Sequence, residues 1–179
     1  RTNAIKLFYD CKPGEKIKYY DYTSLYPYVQ KYCKFPIGHP TIITENFDNV
    51  DSYFGLIKCT ILPPKDLYIP VLPARINNKL VFSLCSRCPG ENKTICDHTD
   101  EDRALKGTWV TSEVQRALKL KYRLISIDEV WHWKETSVYN KETKSGGIFT
   151  EYVNKFLKLK QEASGLPQDC QDVNDYINT

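Results

Sequence analysis

The seven residues Asp21-Tyr22-Thr23-Ser24-Leu25-Tyr26-Pro27 constrain this chain more than any others. They follow an apolar and aromatic run, Ile17 to Tyr20, that reads as a strand. After them, apolar or aromatic residues at 25, 28, 29 and 32 give a helical spacing over Ser24 to Lys34, which Pro36, Gly38 and Pro40 end. An acidic residue at a strand end, then a tight turn into a helix, is a common way to hold a cation over bound phosphates. The carboxylate is a hard oxygen ligand, and the amides of the turn can face anionic oxygens. An aromatic ring five positions on, here Tyr26, can lie flat under a sugar. The plain alternative is a strand end with a capping Asp and a buried Tyr.

The rest of the pattern is mixed. Ala4 to Tyr9 reads as a strand, Lys12-Pro13-Gly14-Glu15 as a turn, and Ile17 to Tyr20 as the return strand of a hairpin. Phe54 to Leu62 alternates as a strand that Pro63-Pro64 breaks, and Tyr68 to Leu72 and Leu80 to Leu84 read as two more. Thr111 suits a helix N-cap, with Glu113 in the first turn and Val114, Ala117 and Leu118 as the apolar stripe of a helix over Ser112 to Lys121. In the strand Arg123 to Trp133, period-2 alternation assigns Ile125, Ile127, Trp131 and Trp133 to one face. Gly146-Gly147 breaks the chain. Phe149, Val153, Phe156 and Leu157 then mark an amphipathic helix carrying Lys155, Lys158 and Lys160, stopped by Gly165-Leu166-Pro167. Residues 168–179 are polar and acidic. The fold class expected is α+β with antiparallel pairing.

Between the strand ending at Leu84 and the helix from Ser112 lies a long segment rich in charge and cysteine. Cys85-x-x-Cys88 followed by Cys96-x-His98 offers four soft or borderline donors, a set that suits a closed, tetrahedral, structural zinc ion. The alternative is a loop of reduced cysteines with a surface His. Loops of this length without internal structure are uncommon in compact domains, so a metal constraint would explain its persistence. Cysteines 11, 33, 59 and 170 read as ordinary thiols, and His39 and His132 as structural.

Composition sets limits. A net charge of +3 is mild, so any nucleic-acid contact must come from local clusters. No run of about 18 apolar residues occurs, so no membrane span is expected, and there is no signal-peptide pattern. Seven cysteines, an odd number, argue against a complete disulfide framework and for a reducing, intracellular setting, the nucleus or cytoplasm of a host. The sequon Asn92-Lys93-Thr94 would matter only in a secreted protein. Without a single Met, the chain is expected to be an internal piece of something larger.

The pattern D-x-x-S-L-Y-P at Asp21 resembles the first catalytic motif of family B DNA polymerases. Thr108-Trp109-Val110-Thr111, the helix after it and Ile125 to Trp133 are similar to the insertion of the protein-primed branch, found in bacteriophages, adenoviruses, linear plasmids and large DNA transposons. Tyr152-Val153-Asn154-Lys155-Phe156-Leu157-Lys158-Leu159-Lys160 and on to Gly165 resemble the first fingers helix. Arg1-Thr2 is similar to the residues just past the linker between exonuclease and polymerase domains. The Cys-rich loop with Arg103 to Trp109 looks most like the transposon and viral branch.

The resemblance implies an antiparallel palm begun by residues 1–35, an inserted terminal-protein-region-like α+β subdomain at 36–145, and the start of the fingers at 146–179. It implies two-metal nucleotidyl transfer with Mg2+, deoxynucleoside triphosphates and a DNA template-primer, and a terminal protein whose hydroxyl primes synthesis. Asp21 would be a metal ligand with the carbonyl of Tyr22. Amides of Ser24 and Leu25 would face phosphate, Tyr26 would pack on the deoxyribose, and Lys160 would contact the incoming triphosphate. The K-x-x-x-N-S-x-Y-G and D-T-D motifs are absent from this chain, as they would be in a piece that stops before them. Two rival readings remain: a zinc-stapled module that docks protein or nucleic acid, and an inactive remnant of a transposon polymerase. A lysine run on a helix face is also, on its own, most often a solvated face.

Overall fold

The computed structural model describes residues 8–93 and 95–165, in two compact units. One unit is residues 34–148; the other joins the described residues of 1–33 to those of 149–165. In chain order the elements are α1 (Leu25–Tyr32), β1 (Phe35–Pro36), β2 (Thr41–Ile43), a 3-10 turn at Val50–Ser52, β3 (Gly55–Leu62), β4 (Pro73–Ile76) and β5 (Lys79–Phe82). There follow α2 (Cys88–Glu91), α3 (Asp100–Arg103), β6 (Leu105–Val110), α4 (Thr111–Lys119), β7 (Arg123–His132), β8 (Thr136–Ser137), β9 (Tyr139–Asn140), β10 (Ser145–Gly146) and α5 (Thr150–Ser164). The class is α+β, and among the described residues every strand pair is antiparallel, as the sequence predicts.

The frame of the 34–148 unit is a four-stranded sheet in the order β2-β7-β3-β6. Strand β3 is central and alternates by burial. Ile57, Cys59 and Ile61 point into the core, and Lys58 points out. Leu105 and Trp109 of β6 join them, and Val114 and Ala117 of α4 close the core from one side with Tyr53, Leu72, Tyr122 and Val130. Burying each of the larger aliphatic side chains stabilises the unit by about 1.5–3 kcal/mol. Polar side chains tie the periphery down. Trp109 Nε1 donates to the carbonyl of Pro73, and Gln115 Nε2 donates to the carbonyls of Val50 and Tyr53. Gly55 has φ +148, and a Cβ there would lie 2.1 Å from the carbonyl oxygen of Trp131, so the crossing of β3 against β7 requires glycine.

In the other unit, α1 and α5 are joined by a hydrogen bond from Lys31 Nζ to Asn154 Oδ1 at 2.7 Å. The left-handed φ of Gly165 ends α5. The expected stop at Leu166-Pro167, the acidic segment 168–179, Cys170, Arg1-Thr2, Thr94 of the sequon and most of the strand Ala4 to Tyr9 lie outside the described residues.

Five expectations are corrected. Ile17 to Tyr20 is not a strand; Ile17, Tyr19 and Tyr20 are exposed irregular chain. A lone hairpin is marginal without an apolar face to pack on. Its turn does form, with Glu15 N–H donating to the Lys12 carbonyl at 2.9 Å. Tyr68 to Leu72 is also irregular, and the strand is β4, which pairs with β5 through Asn77-Asn78, both at positive φ. That two-residue turn is the hairpin signal in this stretch of sequence.

The segment from Cys85 to Asp102 is not structureless, since it contains α2 and the start of α3. Thr111 is the first residue of α4 rather than its N-cap, and its hydroxyl instead accepts a hydrogen bond from Gly55 N–H. The face assigned to β7 is broken by two bulges. Lys58 pairs with Glu129 but Cys59 with Ile127, and Thr60 with Ser126 but Ile61 with Leu124. Each bulge adds one residue and inverts the alternation. The core side of β7 is therefore Leu124, Ile127 and Val130, while Ile125 and Trp131 are exposed.

Candidate functional site

Among the described residues, two groups bear chemistry. The first surrounds the turn into α1. Ser24 is the N-cap with φ 55 and ψ 36, a left-handed conformation uncommon outside Gly and costly to hold. That turn reverses the chain after Asp21, and Leu25 N–H donates to the Tyr22 carbonyl at 3.3 Å within it. Asp21, Tyr22, Ser24, Leu25 and Tyr26 line one shallow concavity, with the rings of Tyr22 and Tyr26 largely exposed. Lys160 is exposed on α5 and does not line that concavity. Among the described residues, no group of three acidic, His or Cys side chains forms around Asp21.

The second group is built from the loop after β5. Ser83 Oγ donates to the Cys85 carbonyl and accepts from Cys85 N–H, turning the chain so that Cys85 points inward, buried. Helix α2 begins at Cys88, with Pro89 in its first turn, which fixes φ where no amide donor is needed. The left-handed Asn92 then returns the chain, and Cys96 and His98 come next. Cys85, Cys88, Cys96 and His98 bring their ligand atoms within 4.8 Å of one another.

The spacing is specific. His98 Nδ1 lies 3.5 Å from Cys85 Sγ, 3.5 Å from Cys88 Sγ and 3.7 Å from Cys96 Sγ. A tetrahedral zinc with Zn–S of about 2.3 Å and Zn–N of about 2.0 Å demands S···N edges of about 3.5 Å. Arg87 N–H donates to Cys85 Sγ at 3.4 Å, the kind of contact that steadies a thiolate. The Cys96 thiol is held down to about 7, first by the backbone N–H of His98 and then by its side chain. Cys88 is pushed up to about 12 by desolvation and by its neighbours Cys96 and Cys85. His98 is raised, chiefly by its bond to Cys96. Thiolates this close repel one another, and a bound cation would neutralise that charge. The donor set and its geometry fit a divalent metal such as zinc.

Two residues escape a reading of the sequence. Glu91 Oε2 lies 3.1 Å from His98 Nε2. Arg103, at 3% exposure, donates to the carbonyls of Pro63, Pro64 and Leu84 and to Asp100. Glu91 lies three residues after Cys88, a spacing that puts it on the same helix side. Arg103 offers no such signal. His132 is structural as expected, with Nδ1 accepting from Phe54 N–H at 3.1 Å. Cys59 is buried in β3, and its thiol is pushed up to about 12 by burial and by Asp128. No helix among the described residues is long and apolar enough to cross a membrane.

Comparison with known proteins shows the family. Residues 1–172 match the family described as DNA polymerase type B, organellar and viral. A curated relative, a probable DNA polymerase of Neurospora intermedia, is 37% identical over 176 residues, covering 90% of this chain and 16% of its own length. The chain therefore spans about a sixth of that relative. No solved structure matches it. With the family match running through the Asp21 turn, the Cys/His loop and α5, the chain belongs to the type B DNA polymerases of the organellar and viral kind.

Proposed function

We propose that this chain is a section of a DNA-directed DNA polymerase that carries the first palm carboxylate, a terminal-protein-binding insertion and the first fingers helix. The observation that carries this is the coincidence of the type B family match with the D-x-x-S-L-Y-P turn at the start of α1. In this reading residues 1–35 begin the palm, 36–145 are the insertion that meets a priming protein, and 146–179 begin the fingers. The partners are a DNA template-primer and deoxynucleoside triphosphates, in protein-primed replication inside the cell.

Asp21 is the one residue of the turn with a carboxylate to offer a hard cation, and the concavity leaves it accessible. Magnesium, when bound, lowers the pKa of the priming hydroxyl and steadies the leaving pyrophosphate. The chain's own residues contribute binding and orientation. The amides of Ser24 and Leu25 would face the triphosphate, the Leu25 N–H leaving the Tyr22 carbonyl that it meets at 3.3 Å within the turn. The Tyr22 carbonyl would join Asp21 in holding the cation, and the Tyr26 ring packs on the deoxyribose, where a 2′-hydroxyl would meet it. Lys160 neutralises phosphate charge through a charge-assisted contact. The Cys/His loop holds structural zinc and takes no part in transfer.

Replacing Asp21 by Asn in the full parent polymerase tests the reading. Asn keeps the shape and removes the charge that holds the cation, so primer extension with Mg2+ should be lost while the circular dichroism and melting temperature stay unchanged. Near-normal turnover in that variant would remove Asp21 from the site.

A further inference from the structure

The Cys/His cluster has a fifth member that a count of ligands leaves out. Glu91 Oε2 approaches His98 Nε2, the ring nitrogen opposite the one that faces the three sulfurs. The short helix α2 presents Cys88 and Glu91 three residues apart, so ligand and carboxylate share one side. Lys93 Nζ lies 3.5 Å from the same Glu91 oxygen, Oε2, and 2.8 Å from Asp97 Oδ1, which helps to hold the carboxylate in place. Lys93 N–H also closes α2 by donating to the Cys88 carbonyl at 3.1 Å.

We propose that Glu91 is the positioning residue of a closed tetrahedral zinc site formed by Cys85, Cys88, Cys96 and His98 Nδ1. The proposal rests on the zinc assignment made for the loop. Glu91 accepts the Nε2–H of His98. That selects the tautomer whose lone pair is on Nδ1, aims the ring at the sulfurs and raises its basicity as a ligand. Three thiolates and one imidazole fill a tetrahedron, so no position is left for water and the metal is structural.

The site joins three stretches of chain: the end of β5 through Cys85, α2 through Cys88, and the segment before α3 through Cys96 and His98. Helix α3 carries Arg103, whose guanidinium is seated on the carbonyls of Pro63, Pro64 and Leu84. Metal binding at one end of the loop and Arg103 at the other fasten the segment to the sheet.

The test uses the 179-residue chain, purified reduced and without a metal-binding tag, with Zn2+ alone as the probe. Zinc affinity is measured by competition with a chromophoric chelator, and the His98 tautomer by long-range 1H–15N correlation. Wild type should bind one equivalent, with Nε2 protonated and Nδ1 shifted by the metal. Glu91→Leu should bind roughly 10–100-fold more weakly, the usual loss when a histidine's outer partner is removed. Glu91→Gln, whose amide oxygen still accepts Nε2–H, should stay closer to wild type than to Glu91→Leu. If wild type takes up no zinc, the zinc assignment itself falls. If wild type binds and Glu91→Leu binds equally tightly with Nε2 still protonated, zinc stands and the role of Glu91 falls. If Glu91→Gln is as weak as Glu91→Leu, the tautomer account is overturned.

Discussion

Arg103 Nη2 donates to the carbonyl oxygen of Pro63 at 2.8 Å, a buried bond across a separation of 40 residues. The same guanidinium meets the carbonyls of Pro64 and Leu84 and the carboxylate of Asp100, so one side chain satisfies acceptors from two connections that have no ladder to join. Pro63 and Pro64 cannot donate and break β3, which leaves their carbonyls turned inward. A charged planar fork is one of the few side chains able to reach three such acceptors at once.

Arg103→Met should therefore destabilise the chain by about 2–3 kcal/mol. Met keeps much of the stem's volume but leaves buried carbonyls without donors. Chemical denaturation monitored by tryptophan fluorescence measures the shift, and a change below about 0.5 kcal/mol would show that water replaces the guanidinium without penalty.

The bulges of β7 give a prediction that separates its two sides. Ile125 sits at the second bulge and is exposed, whereas Val130 is fully buried opposite Ile57. Ile125→Thr should change stability by less than about 0.5 kcal/mol. Val130→Thr places a hydroxyl in the apolar core and should cost about 1–3 kcal/mol. A larger cost at Ile125 than at Val130 would restore the uninterrupted alternation that the sequence alone suggests, with Ile125 on the core face.

That alternation marks a limit of sequence reading. The long strands β3 and β7, the helix α4 and the amphipathic α5 are legible because apolar spacing repeats over eight residues or more. The bulges at Ile125 and Asp128 are not, since a bulge depends on pairing to a partner and leaves no local mark. Ile17 to Tyr20 has strand composition without a described surface to pack against, so local propensity is overridden. At the Cys/His cluster the four grouped side chains are readable from type and spacing, and Glu91 is within reach of the same logic. Arg103 is not, because a buried Arg looks like any surface Arg until its acceptors are placed.

The isolated chain should not catalyse nucleotide addition. Asp21 is a single carboxylate, and among the described residues no other acidic group gathers with it into a set of three. Two-metal transfer needs both cations held in register. Primer extension on a defined template with Mg2+ and deoxynucleotides is the assay, and template-dependent product above background would show that the 179 residues carry a complete centre.

Tyr26 offers the sharpest separation between a catalytic turn and a merely structural one. Its ring is exposed at the rim of the Asp21 concavity, so truncating it removes little packing. In the full parent polymerase, Tyr26→Val should leave the stability unchanged and relax selection against ribonucleotides, because the space of the 2′-hydroxyl is opened. The effect should be read as a ratio of kcat/KM for deoxy- over ribonucleotide, which cancels any general loss of activity. Lys160→Ala serves as the contrast. Losing a phosphate contact should raise KM for both nucleotides alike and leave that ratio where it was. If Tyr26→Val keeps wild-type discrimination, the ring does not face the sugar. If Lys160→Ala leaves KM unchanged, the lysine is part of a solvated helix face.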